Sequence, residues 1–220
     1  MARPRRYRYA ESLALLRAWR DDPPGHLDWD RAKQKLTVRD DTGVKQFTFR
    51  LPLPFPPASE GISLAEYLED VPETPPPYLL LLLQAGHSAL GYFEEGEVVY
   101  HKVIKKYMVR ARQGKAQIGY LNTRGKSKAG SRVRLANTIS FFEAINAKVT
   151  EWDIMNGVER ILLSCPVRMK PLLFQSKVPP PFTKDDPRLL KVPLDIHRPD
   201  LEELKRVNRI IQMGERTEAG

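Results

Sequence analysis

Between residues 101 and 134 the chain carries eleven lysines and arginines and no aspartate or glutamate: Lys102, Lys105, Lys106, Arg110, Arg112, Lys115, Arg124, Lys126, Lys128, Arg132 and Arg134. The whole sequence has 36 basic and 27 acidic residues, a net charge of +9. Without those eleven, 25 basic residues face 27 acidic ones, so a single segment accounts for the excess. An unmixed block of this kind repels itself and is tolerated where a polyanion supplies the countercharge. Nucleic acid does so through phosphate contacts and counterion release. Within the block sits the uncharged amide Gln117, three residues after Gly114. An amide is no base at neutral pH, but it orients a water and hydrogen-bonds a developing oxyanion. Glycine lets a backbone approach a reactant closely. Together these are the groups that ester release at a carbonyl uses, although the same spacing also fits an ordinary surface glutamine.

Other chemistry finds little support. His26, His87, His101 and His197 form neither H-x-H nor H-E-x-x-H, so no metal site is expected. There is no G-x-S-x-G elbow and no Walker loop. Two-metal nuclease chemistry needs carboxylates on a central strand, whereas the strongest strand candidate, YLLLLLQ at 78–84, has none. Cys165 is the lone cysteine, so an internal disulfide is excluded and a reducing cytoplasm is the natural compartment. No cofactor is expected. The longest apolar run, Leu79 to Leu83, is too short to span a bilayer, and the N-terminal MARPRRYRYAE has no apolar h-region. Arg3, Arg5, Arg6 and Arg8, interleaved with Tyr7 and Tyr9, form a second, smaller basic arm able to stack on RNA.

The elements that would hold the basic segment follow from periodicity. Residues 11–20 place Leu13, Leu16 and Trp19 at helical spacing. KLTVRDDTGVKQFTFR reads as a hairpin turning at Asp40–Gly43, and a short helix is expected around Leu64 to Leu68. Prolines at 52, 54, 56 and 57 and at 75–77 interrupt the chain, so residues 1–74 form an N-terminal layer and 75–220 the main module. That module opens with strands at 78–84, 88–93 and 98–109, joined by short turns as an antiparallel meander. Residues 111–130, with four glycines, read as a long mobile basic loop. Leu135, Ile139, Phe142, Ile145, Val149 and Trp152 step by three or four along one apolar stripe, predicting a helix capped near Ser131 and ended by Gly157. A parallel strand at 158–164, a short helix at 169–174 and a final helix from Pro199, stopped by Gly214, complete the series. The pattern predicts an α/β fold with a mixed sheet, an antiparallel meander and packed helices, of the ribonuclease-H-like kind.

Two blocks carry a resemblance to a known family. RARQGKAQ (Arg110 to Gln117), with the Gly/Lys/Ser-rich stretch and long helix after it, resembles the Vms-like release-factor domain. DPRLLKVPLDIHRPDLEELKRV (Asp186 to Val207) resembles the same family's D-P-R-L…P-L…R-P…E-L-x-R-V pattern. The likeness covers roughly 100 to 213, and its relatives include the central domain of eukaryotic and archaeal class I release factors. It implies a metal-independent activity that cleaves peptidyl-tRNA at the peptidyl-transferase centre of stalled large ribosomal subunits. Gln117 would be the family's functional glutamine and Gly114 the turn glycine before it. Arg110, Arg112, Lys115, Arg124, Lys126, Lys128, Arg132 and Arg134 would touch ribosomal RNA or the tRNA acceptor end. The bond cut would be the peptidyl ester or a phosphodiester near the tRNA 3′ CCA end. Class I release factors have two adjacent glycines before the glutamine; here Gly-Lys-Ala-Gln stands instead, a relaxation that the Vms-like domains share. The implied partners are the large subunit, peptidyl-tRNA and ribosomal RNA, with no membrane, for a chain expected to act as a monomer. The alternative is a ribosome- or RNA-binding protein that uses the same cations without catalysis.

Overall fold

The computed structural model describes residues 4–106 and 128–219, with side chains from residue 137 onward in the second stretch. Two five-stranded sheets organise it. The first has the order β1 (Arg5–Tyr7), β10 (Gly214–Glu218), β4 (Lys45–Arg50), β3 (Lys35–Arg39), β2 (His26–Asp30), antiparallel throughout. The helices α1 (Tyr9–Asp21) and α2 (Leu64–Asp70) cover it. The layer read from residues 1–74 is therefore completed by the C-terminal strand, which inserts between β1 and β4. Within the arginine arm at its start, Arg5–Tyr7 form β1 of this sheet: Arg6 pairs with Glu215 at 3.0 Å, and Tyr7 packs on Phe49.

The second sheet has the order β7 (Glu97–Lys105), β6 (His87–Glu94), β5 (Tyr78–Gln84), β8 (Arg160–Ser164), β9 (Leu189–Lys191). The meander β5–β6–β7 is antiparallel, while β8 and β9 join parallel. Every residue from Tyr78 to Leu83 is buried, because helices cover both faces of this strand. On one face α3 (Lys128–Glu151) and the short α4 (Lys170–Phe174) bury Phe141, Phe142, Ile145 and Val149 against Leu79, Leu81 and Leu83. On the other, α5 (Leu201–Ile211) buries Leu204, Val207 and Ile211 against Leu80 and Leu82. Gly91 is required there, since a Cβ would stand 2.5 Å from the Phe93 ring and 3.0 Å from Leu204. The β6–β7 turn needs positive φ at Glu95 and Gly96, as a tight hairpin does.

The mixed sheet, meander and packed helices are thus present, with three revisions of element limits. The helix α3 starts at Lys128, three residues before the expected cap at Ser131, so residues 128–130 are helical and not loop. Gly130 costs a helix ~1 kcal/mol, less than the buried stripe beyond it returns. The same helix ends at Glu151, well before Gly157. The last helix starts at Leu201 with Asp200 as its cap, accepting from the Glu203 N–H at 2.9 Å, and it ends at Ile211, while Gly214 opens β10.

Candidate nucleic-acid interface

The basic segment leaves the main sheet at the end of β7 and re-enters as α3. The Lys106 N–H donates to the Gly86 carbonyl at 2.9 Å, and its Nζ donates to Ser140 Oγ at 2.9 Å. Those two bonds fix the exit point at the level of Ser140 on α3. Every buried α3 side chain among the described residues lies beyond it, from Phe141 on, and Ile139 is 40% exposed. Back from Ser140, twelve residues of helix lead to Lys128, a rise of ~18 Å. The basic segment is therefore spliced onto the end of a helical arm.

Of the residues expected to act, Gln117, Gly114, Arg110, Arg112, Lys115, Arg124 and Lys126 lie outside the described residues, as does the expectation of a mobile segment over 111–127. Lys128, Arg132 and Arg134 fall in the first two turns of α3, where the helix dipole adds partial positive charge. Near the exit, His87, Lys102 and Lys105 are half-exposed or exposed. Among the described residues, no three of His, Cys, Asp and Glu gather as a metal site would require. Burial pushes the Cys165 thiol up to about 11, so it stays protonated, in keeping with a small apolar side chain.

The C-terminal block of the resemblance works as scaffold. Asp186 holds Arg188 through two contacts, at 3.0 Å and 2.9 Å, and Arg188 donates to the carbonyls of Met155 (2.9 Å) and Val158 (3.0 Å). It thereby clamps the turn from α3 into β8. Hydrogen bonding from Arg188 holds the Asp186 carboxyl below the usual carboxylate range. Further on, Glu203 accepts from Arg206 at 2.7 Å and 2.8 Å and from the His197 N–H at 2.6 Å, which keeps its carboxyl low as well. Arg206 also reaches the Asp195 carbonyl at 3.0 Å. These bonds tie residues 195–200 to the start of α5.

Sequence reasoning missed a second cationic surface. The residues after β8 fold over α3 as α4 and its flanks, with Arg168, Lys170 and Lys177 exposed. The available signal was weak but real: residues 165–184 contain four cations and no acid.

A family model described as Bacteroidetes VLRF1 release factor matches residues 78–218. The Mus musculus protein named tRNA endonuclease ANKZF1 is 34% identical over 135 residues, covering 59% of this chain and 18% of that protein. The Homo sapiens protein of the same name is 34% identical over 134 residues, with the same shares. The matched stretch is thus less than a fifth of the length of these relatives. A solved structure described as the Vms1 mitochondrial localization core aligns with a TM-score of 0.49 and 14% identity, covering 82% of this chain and 75% of that one. No helix among the described residues is long and apolar enough to cross a membrane.

Proposed function

This chain belongs to the VLRF1 release-factor family, and on that premise we propose that it acts in ribosome rescue by cutting the tRNA of peptidyl-tRNA held on stalled large subunits. The observation that carries the reading is the acid-free cationic segment around Gln117, spliced between the end of β7 and the α3 arm. The name tRNA endonuclease on the mouse and human relatives favours a phosphodiester near the tRNA 3′ end as the bond cut.

Cations of the segment bind phosphates on the acceptor end and the surrounding ribosomal RNA. The ribose 2′-hydroxyl oxygen attacks the adjacent phosphorus and gives its proton to water. The bond from phosphorus to the 5′-oxygen of the next nucleotide breaks, and that oxygen takes up a proton from water. The products are a tRNA ending in a 2′,3′-cyclic phosphate and a short 3′ oligonucleotide that still carries the peptide. The Gln117 amide donates to a non-bridging oxygen as charge builds there, and Gly114 lets the backbone come close. Arg112 and Lys115, just before Gln117 in the sequence, balance the same charge. No step requires a metal or an organic cofactor.

A second reading is ester hydrolysis, favoured by the words release factor in the family's description. In it water attacks the peptidyl carbonyl, Gln117 stabilises the oxyanion, and the tRNA leaves intact. Sizing the labelled tRNA on a denaturing gel, before and after CCA repair, separates the two. A shortened, repairable tRNA supports the endonuclease, and a full-length tRNA with free peptide supports hydrolysis. Gln117→Ala tests catalysis against mere binding: lost cleavage with retained association supports catalysis, and unchanged cleavage removes Gln117 from the mechanism.

A further inference from the structure

We propose that the β8–α4 shoulder, carrying Arg168, Lys170 and Lys177, is a second docking surface that rests on ribosomal RNA of the large subunit while the Gln117 segment engages the tRNA. The proposal builds on the function inferred above and names a contact that the basic segment does not supply. Three observations lead to it.

The first is charge. Residues 165–184 hold four cations and no acid, and Arg168, Lys170 and Lys177 are exposed without an ion pair among the described residues. Residues 101–134 contain no acid either, so no carboxylate from the basic segment can neutralise them. Three solvated cations without counterions suit a phosphate backbone.

The second is rigidity. Asn146 on α3, 1% exposed, donates through Nδ2 to the carbonyls of Leu173 (2.9 Å) and Val178 (2.8 Å). Leu173 is fully buried, and the Phe174 ring meets Phe182 edge-on at 5.9 Å. These contacts pin the C-terminal end of α4 and the residues after it to α3, so the backbone between Lys170 and Lys177 is held in place. Next to them in the chain Val167 is 81% exposed and Leu172 41%, offering apolar contact beside the cations.

The third is position. Strands β5 and β8 run parallel, so Ser164 lies at the same end of the sheet as Gln84 and as Lys105 at the exit of β7. The chain thus enters the shoulder at the end of the sheet from which it also leaves for the basic segment. Asn146 lies 18 residues from Lys128 along α3, a separation of ~27 Å. A surface that far from Lys128 suits a stretch of phosphate backbone other than the one met by the start of α3, as the RNA of a large subunit offers.

The test compares the triple variant Arg168→Gln/Lys170→Gln/Lys177→Gln in the full chain with wild type, in two arms. Association with purified large subunits is followed across a salt titration, and binding to free deacylated tRNA is followed in the same way. The proposal expects weaker subunit association and a salt slope smaller by roughly 2 to 3, from ~0.7 to 0.9 per lost phosphate contact, with tRNA binding unchanged. Lys126→Gln/Lys128→Gln serves as the reference for the basic segment. If that reference loses its slope while the triple variant keeps the wild-type slope, the shoulder proposal fails and the function stands. If neither variant changes subunit association, the function itself fails. Weaker subunit association with an unchanged salt slope would assign the shoulder to a ribosomal protein and overturn the proposal.

Discussion

The two ends of the main sheet differ in charge and in how they are built. At the end where β5 and β8 finish, the chain leaves through Lys105 and Lys106 into the cationic segment, with Arg168, Lys170 and Lys177 alongside. At the opposite end Glu94, Glu95, Glu97 and Glu159 surround a cleft of 560 Å³ walled by Pro72 and Pro75–Pro77. That end is closed by bonds: Arg188 clamps the α3–β8 turn, and both Asn208 and Gln212 donate to the Gly96 carbonyl, at 2.9 Å and 3.0 Å. One end therefore holds the fold together, and the other carries the cations. A polyanion approaching this chain is drawn to one end and repelled by the other, which orients the molecule before any specific contact forms.

The comparison separates sharply under mutation. The largest expected effect is on chemistry at the basic end. Gln117→Ala lowers the cleavage rate ~10²- to 10³-fold, as loss of one oxyanion donor does, and leaves the thermal midpoint unchanged; single-turnover assays with calorimetry check both. Next comes Arg188→Ala at the acidic end, which strands the Met155 and Val158 carbonyls and leaves Asp186 unpaired. It costs about 2 to 3 kcal/mol of stability, read as a lower urea midpoint, while cleavage by the folded fraction persists.

Charge tests follow. Reversing Lys126, Lys128 and Arg132 weakens association with large subunits and reduces its salt slope by ~0.7 to 0.9 per lost contact. Equivalent losses after Glu94→Gln/Glu95→Gln/Glu97→Gln would erase the distinction between the ends; the account expects a change of about twofold at most, since these carboxylates lie beyond a ~10 Å Debye length from the bound phosphates. The smallest effect is a pH dependence. The folded Asp186 carboxyl titrates below its unfolded value of ~3.9, so its stabilisation is present above that value and is lost as pH falls toward the folded one. Wild type loses urea resistance below about pH 4 more steeply than Asp186→Asn.

How far the sequence disclosed this arrangement depended on what each element packs against. Tyr78 to Leu83, flanked by proline and glycine, reads as a central strand because both of its faces are covered. The α3 stripe is legible through Phe142, Ile145 and Val149, yet Phe141, equally buried, lies off the stripe, and Ile139 on it stays exposed, because the sheet covers only the C-terminal half of the helix. The strands β1 (RRY), β9 (LLK) and β10 (GERTE) are too short or too polar to show a period of two, and the partners of β1 and β10 lie about 200 residues apart in the chain. Gly130 and its basic neighbours conceal the first turn of α3. In the basic segment eleven cations in 34 residues announce themselves, whereas Arg168, Lys170 and Lys177 stand out only once α4 and its flanks fold over α3.

The most direct measurement incubates the full chain with purified large subunits bearing peptidyl-tRNA labelled in its tRNA moiety and identifies the new 3′ terminus. The account predicts a shortened tRNA ending in a cyclic phosphate, formed by wild type and ~10²- to 10³-fold more slowly by Gln117→Ala. A full-length tRNA with the peptide detached, or equal cleavage by both proteins, would contradict it.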